Sequence, residues 1–242
     1  MSVSVCMATY NGANYIKEQL ESILTQLSPD DEVIISDDGS TDNTISIVNA
    51  INDSRVLVII NHTNHGVVAN FNNALSYAKG DYIFLSDQDD IWLEGRVSRT
   101  LTFLEEHDLV VSNCSVIDND KEIIIESYFN RTKSKKGFLK NIVSSSYLGC
   151  GLAFKRSIYD CFMPIPLNLM MYHDWWIGFI ADIKFRVFFD PKPTFLYRRH
   201  LNAVSSTVNP NGSRRTMYIK IASRVQLVYK ALSRIIRRHY GF

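Results

Sequence analysis

The 242-residue chain is 46 % hydrophobic and 21 % charged, the usage of an ordinary globular domain, which excludes disordered, collagen-like and coiled-coil architectures. It has no run of eighteen apolar residues and no basic-then-apolar leader, so neither a membrane span nor a signal peptide is expected. The net charge of +1 divides unevenly: no Asp or Glu follows Asp190, eight Lys/Arg lie from Arg214 onward, and the body therefore carries −7 against +8 in the tail.

Val3–Ala8 is a short apolar run closed by Thr9-Tyr10-Asn11-Gly12, a strand and then a turn. Apolar residues from Tyr15 to Leu27 recur at helical spacing until Ser28-Pro29-Asp30 stops them. Glu32–Ser36 is a second strand, closed by Asp37-Asp38-Gly39-Ser40, with Ser40 or Thr41 expected to cap the helix carrying Ile45, Val48 and Ile51. Val56–Ile60 is a third strand, Asn64-His65-Gly66 turns into a helix through Phe71 and Leu75, and Tyr82–Leu85 is a fourth strand. This βαβαβαβ order with near-continuous apolar strands predicts an α/β domain whose mostly parallel sheet is covered on both faces.

Beyond residue 90 the pattern loosens. Trp92–His107 reads as a helix, Leu109–Ser112 as a strand and 130–141 as a basic polar loop. Gly149–Phe154 reads as a strand after a glycine turn, Met171–Ala181 as a helix and Phe185–Phe189 as a strand. At about 100° per residue, Met217, Ile221, Val225, Val228, Leu232, Ile235 and Ile236 share one arc of a tail helix over 214–238. Its Lys and Arg residues take the other side, and Ile219 and Leu227 fall off the pattern. Such a helix either lies on an anionic membrane or packs its apolar stripe on the domain. The four cysteines (Cys6, Cys114, Cys150, Cys161) have no CxxC or zinc-site spacing and are expected to be reduced thiols of a cytosolic protein.

Ligands of parallel sheets gather beyond the carboxyl ends of the strands. The clusters at 9–11, 37–38, 64–66 and 87–90 are therefore expected on one rim. Asp87, Asp89 and Asp90 within four residues repel one another and suit a hard divalent cation, the alternative being a solvated acidic turn. Asp37-Asp38 suits a ribose hydroxyl or a pyrimidine N–H, or else an Asx turn with a helix cap. The chain lacks G-x-G-x-x-G, the P-loop and G-x-S-x-G, which disfavours dinucleotide cofactors, P-loop NTPases and α/β-hydrolases.

Seven segments occur in order: VSVCMATYNG (3–12), ISDDGSTDNT (35–44), NHGVVANFNNAL (64–75), GDYIFLSDQDDIW (80–92), GCGLAFKR (149–156), HDWW (173–176) and YRRHLNAVS (197–205). Together they resemble family 2 glycosyltransferases of the GT-A (Rossmann-like) fold. The DQDDIW form is similar to bacterial glucosyl- and rhamnosyltransferases of O-antigen, lipopolysaccharide and capsule synthesis. The resemblance implies a transferase domain over 1–207, with a nucleotide-binding half at about 1–107 and an acceptor-side half at about 108–207, followed by the basic helical tail 208–242.

It further implies an inverting transfer that uses Mn²⁺ or Mg²⁺. Thr9, Tyr10 and Asp38, with Asp37 as neighbour, match base- and ribose-binding positions, and Asn64 and Gly66 lie in a turn approaching the nucleotide. Asp89 is the foremost metal ligand, and Asp87 reaches the ribose, a bound water or the metal. His200 matches a histidine near the metal or diphosphate, and Arg198 and Arg199 are expected to hold the diphosphate. Asp174 matches the catalytic base, although His173 precedes it where the family usually has an acid. The implied donor is UDP-glucose first and dTDP-rhamnose second, and the acceptor is an undecaprenyl-diphosphate-linked saccharide. The implied location is the cytoplasmic face of a bacterial membrane, reached through 214–238 with the basic 131–140 segment assisting. No nucleic-acid partner is expected of an acidic body. A non-catalytic nucleotide- or sugar-binding module is the alternative from another class, and intact Asp87, Asp89 and Asp174 argue against it.

Overall fold

The computed structural model describes residues 1–62, 65–200 and 217–240. In chain order the first half runs β1 (Val3–Thr9), α1 (Ile16–Leu24), β2 (Glu32–Asp37), α2 (Thr44–Ile51), β3 (Val56–Ile60), α3 (Val67–Tyr77) and β4 (Tyr82–Asp87). The second half runs β5 (Ile91–Trp92), α4 (Arg96–Glu106), β6 (Leu109–Ile117), β7 (Ile123–Ile125), α5 (Tyr128–Thr132), α6 (Phe138–Val143), β8 (Leu152–Lys155), α7 (Arg156–Phe162), α8 (His173–Lys184), β9 (Val187–Arg198) and α9 (Met217–Tyr240).

Among the described residues the strands form one sheet in the order β3-β2-β1-β4-β8-β6-β9-β5, with β7 on β6. β1 pairs in parallel with both β2 and β4, and β2 with β3. The expected parallel arrangement thus occupies the half that holds the first four strands. Past β4 the sheet is mixed: β8 runs antiparallel to β4 and β6, and β9 is again parallel to β6. Alternate side chains enter two cores. Cys6, Ile34 and Leu85 join Phe71, Phe154, Phe162 and Trp176 on one face. Val5, Met7, Val33, Ile35 and Phe84 join Leu20, Ile23 and Phe195 on the other. Burial on both faces is why these strands read as continuous apolar runs.

Several boundaries differ from the sequence-based expectation. The helix expected from Trp92 begins at Arg96, because Ile91 and Trp92 pair with Leu196 and Phe195 of β9 and Gly95, at φ 79°, opens the helix. β6 extends through Ser112, Asn113 and Ser115, polar residues that are buried, the last two with their side chains bonded inside the fold. Asn113, for example, donates to Ser127 Oγ and Pro191 O. The segment expected as a basic loop contains α5 and α6, with Ser127 capping the first by accepting from Asn130 N. α8 and β9 each run past their expected ends, to Lys184 and Arg198. Neither Ser40 nor Thr41 caps α2. Asp42 accepts from the Thr44 amide, while Ser40 donates to Asp37.

The tail helix α9 packs on the domain, against α7 and α8, with Val228 of its apolar arc against the core and most of the arc left outside. Its buried line is Ser223, Leu227 and Ala231, so Leu227, which breaks the sequence pattern, is the anchor. Arg234 donates to the carbonyls of Met163 and Pro164, and Arg224 to those of Ile142 and Val143. Ile221, Val225 and Ile236 remain 58 %, 62 % and 55 % exposed. All four cysteines are free thiols. No helix among the described residues is long and apolar enough to cross a membrane.

Candidate active site

The carboxyl ends of β1, β2 and β4 meet at one rim. Asp37 is buried there, with Oδ1 accepting from the Gly39 and Ser40 amides and Oδ2 from Ser40 Oγ and Thr9 Oγ1. Thr9 is likewise buried, its hydroxyl bonded inward to Ser36 O and Asp37. Thr9 and Asp37, both expected at the nucleotide, frame an Asx-type turn in which their side-chain polar atoms have protein partners.

Asp38 is partly exposed and ties the rim to the next loop. Its Oδ1 lies 3.0 Å from both Asn61 Nδ2 and His65 Nδ1, and its Oδ2 accepts from the Gly66 amide at 2.8 Å. Gly66 has φ 106°, a conformation that favours glycine. Asn64 lies outside the described residues. Tyr10 is exposed, and its backbone is clasped on both sides by the Gln88 amide at 3.0 Å. The sequence reading placed Gln88 in the 87–90 cluster but gave it no role; a Cβ on Gly12 would sit 2.2 Å from Gln88 Oε1, so this glycine is required by the clasp.

The acidic turn divides the expected metal trio. Asp89 Oδ2 faces His200 Nε2 at 2.7 Å, and the His200 ring stacks on Tyr15. Asp87 instead groups with Asp90 and Cys150, their ligand atoms all within 4.8 Å of one another. Burial, then the charges of Asp89 and Asp174, pushes the Asp87 carboxyl up to about 7, against a lowering hydrogen bond from Cys150. Asp90, the third carboxylate of the turn and not singled out as a ligand from the sequence, is buried. Its carboxyl is driven well above the usual range by burial and then by Asp89 and Asp87. Asp90 Oδ1 accepts from the Arg198 amide, and Oδ2 has no partner among the described residues.

This donor set fits a hard divalent cation. Two carboxyls raised by burial and then by neighbouring carboxylates, with a buried oxygen that has no partner among the described residues, are what such an ion would relieve. Burial also drives the Cys150 thiol well above its ordinary range.

Arg198 and Arg199 differ in role. Arg198 is buried, donating to Asp89 O at 3.0 Å and to Glu18 Oε2 at 3.1 Å, with its guanidinium over the Tyr15 ring. It braces the acidic turn, its guanidinium bonded to Asp89 O and Glu18 in this structure. Arg199 is partly buried and its Nε has no partner among the described residues.

Asp174 lies in the first turn of α8 and accepts from the Trp175 amide at 2.8 Å. Burial pushes its carboxyl up to about 7, and its charge is felt at both Asp87 and Tyr128. The fold thus brings Asp174 within electrostatic reach of the acidic turn. His173 turns the other way: its ring packs on Phe71 at 4.1 Å and against Gly149, and burial lowers its imidazole to about 3. It is a neutral packing residue, so its departure from the family pattern adds no charge beside Asp174.

The chain is 37 % identical over 128 residues to an Escherichia coli protein named UDP-Glc:alpha-D-GlcNAc-diphosphoundecaprenol beta-1,3-glucosyltransferase WfaP, covering 53 % of this chain and 51 % of that protein. It thus spans about half the length of that relative. It is 30 % identical over 213 residues to the dTDP-rhamnosyl transferase RfbG of Shigella flexneri, covering 81 % of this chain and 72 % of that one. Its fold is similar to that of S. aureus TarS 1-349 in complex with UDP-GlcNAc, with a TM-score of 0.68, 20 % identity, and coverage of 100 % of this chain and 73 % of that chain. The sequence profile described as Glycosyl transferase family 2 matches residues 4–163, two-thirds of the molecule including the rim and the acidic turn. With a parallel half-sheet carrying these clusters at its strand ends, the chain belongs to glycosyl transferase family 2, on the GT-A fold.

Proposed function

We propose that this protein moves a hexose, with inversion, from a nucleotide-diphosphate sugar to a lipid-linked saccharide in bacterial surface-polysaccharide synthesis. The observation that carries the reading is the proximity of Asp174, a carboxyl held near neutrality, to the acidic turn at 87–90. Tyr10, Asp38 and Gly66 receive the nucleoside on the 1–107 side, and the acceptor enters on the 108–207 side. Asp89 and His200, with Asp87 from the neighbouring grouping, would hold Mn²⁺ or Mg²⁺, which when bound would supply Lewis-acid stabilisation of the leaving diphosphate. Asp90 adds negative charge behind them, and Arg199 offers a further cation to the diphosphate. Asp174 takes the proton of the acceptor hydroxyl as that oxygen bonds the anomeric carbon and the sugar–phosphate bond breaks on the opposite face.

UDP-glucose is the favoured donor and dTDP-rhamnose the alternative, in line with the names of the Escherichia coli and Shigella relatives. The acceptor is read as an undecaprenyl-diphosphate saccharide, as in the first of those names. Calorimetric titration with UDP, dTDP, GDP and CDP, each with and without Mn²⁺, tests the reading. UDP is expected to bind in a metal-dependent way. A folded protein that binds none of the four overturns the proposal, and preference for dTDP replaces the donor.

The outward face of α9 supports a location at the cytoplasmic membrane surface. Ile221, Val225 and Ile236 share this face with exposed Tyr218, Tyr229 and Leu232, and exposed Lys220 and Arg237 lie on the same helix. Apolar and cationic side chains on one surface helix suit an anionic bilayer. Deletion of the helix would uncover the site of Leu227, so substitution is the better probe. Ile221→Ser/Val225→Ser/Ile236→Ser is expected to lose co-sedimentation with phosphatidylglycerol vesicles while melting as before, and undiminished co-sedimentation removes the membrane role.

A further inference from the structure

Beyond the acidic turn, an open cleft of ≈ 540 Å³ lies beside α5. Lys133, Lys135 and Lys136 stand at it, and Phe129, Phe189 and Pro191 line its apolar part. The three ammonium groups are exposed, and among the described residues none forms an ion pair with a carboxylate. The loop that carries them is anchored. Lys133 ends α5 with φ 54°, the Ser134 amide donates to Phe129 O, and the Lys135 amide donates to Ser146 Oγ. Their field reaches inward: Lys140 is lowered from its usual range by burial and then by the charge of Lys135. Phe129 is buried with its ring 5.7 Å from that of Phe189, so the floor is preformed.

The cleft is tied to the chemistry through α5. Tyr128, adjacent to Phe129, feels the charge of Asp174, and Arg199 feels both Tyr128 and Arg131. The five residues of α5 lead from Tyr128, which feels Asp174, to Lys133 at the helix end, a length of roughly 7 Å. An acceptor bound at Asp174 and extended along α5 would bring its anionic group to this cleft.

We infer that the cleft binds the diphosphate of the lipid-linked acceptor, with Lys133, Lys135 and Lys136 on the phosphate oxygens and Phe129, Phe189 and Pro191 beneath the first units of the lipid. Three uncompensated cations at the mouth of an apolar cleft match a group that is anionic at one end and hydrocarbon at the other. This inference rests on the proposed transferase reading, and it adds the place where acceptor charge is recognised.

The test uses Lys133→Gln/Lys135→Gln/Lys136→Gln in the full chain, in neutral detergent so that no anionic bilayer contributes. With the donor site filled by UDP and Mn²⁺, farnesyl diphosphate is titrated as the probe. Wild type is expected to bind it, and the variant to bind at least about tenfold more weakly, the scale of one lost charge-assisted contact. In transfer assays the KM for a prenyl-diphosphate saccharide rises by a similar factor in the variant, whereas the KM of the nucleotide sugar and of the same saccharide without diphosphate do not. Equal farnesyl diphosphate binding by both proteins overturns the inference. A variant defect seen only with phosphatidylglycerol vesicles also overturns it and assigns the lysines to membrane headgroups. Probe binding by wild type without transfer to any acceptor leaves the cleft standing and refutes the transferase reading instead.

Discussion

Asp174→Asn is expected to lower the transfer rate by about 10³-fold, the scale of a lost general base, while metal-dependent nucleotide binding persists. In the wild type the rate should fall about tenfold per pH unit below about 7, because burial holds the Asp174 carboxyl up to that value and only the ionised form accepts a proton. That limb should vanish in the residual activity of the variant. The stability argument runs the opposite way. Raising the folded carboxyl above its ordinary value of 3.8 means that the native state keeps a proton which the unfolded chain has released, so stability falls as pH rises from about 4 to about 7. Asparagine does not ionise, so the variant should melt no lower than wild type above pH 7. Thermal melts and single-turnover transfer across pH 5–9 check both statements. Activity within tenfold of wild type would remove Asp174 from the base position.

Asp89→Ala is expected to abolish the Mn²⁺ dependence of nucleotide binding and to cut transfer by roughly 10²–10³-fold, as loss of several kcal/mol of charge stabilisation at the leaving diphosphate requires. Removal of the metal with a chelator should do the same to wild type and nothing further to the variant. The structure makes a sharper comparison available, because Asp89 pairs with His200 whereas Asp87 groups with buried Asp90 and Cys150. Calorimetry of Mn²⁺ with UDP on Asp89→Ala and Asp90→Asn distinguishes the two sets. Loss of metal affinity in Asp90→Asn with retention in Asp89→Ala would move the ion onto Asp87 and Asp90.

The division of labour among neighbouring residues is where sequence reasoning reached its limit. Asp37 and Asp38 are equivalent in a string of letters, yet one is closed into a turn by four donors and the other reaches the Gly66 loop. Arg198 and Arg199 are likewise adjacent; strand alternation sends one guanidinium under the acidic turn and leaves the other with an unpartnered Nε. Asp90 was visible as the third carboxylate of its turn, but its burial depends on residues about a hundred positions away. The stripe on α9 was legible as periodicity, but periodicity does not say which arc faces the protein, and the anchor proved to be the exception, Leu227.

The local pattern of this chain was sufficient for the half-sheet of β1 to β4 and for the polar clusters at its strand ends. Both faces of those strands are buried, so their apolar runs and the turn residues between them carry the information within short windows. The mixed half-sheet, the small helices between residues 128 and 143, the separation of the acidic turn into two groupings and the approach of Asp174 to it were decided by tertiary structure. Each depends on pairings and desolvation between segments far apart in the chain, and those set which carboxyls are pushed toward neutrality, which cations are already bonded and which face of a helix remains outside.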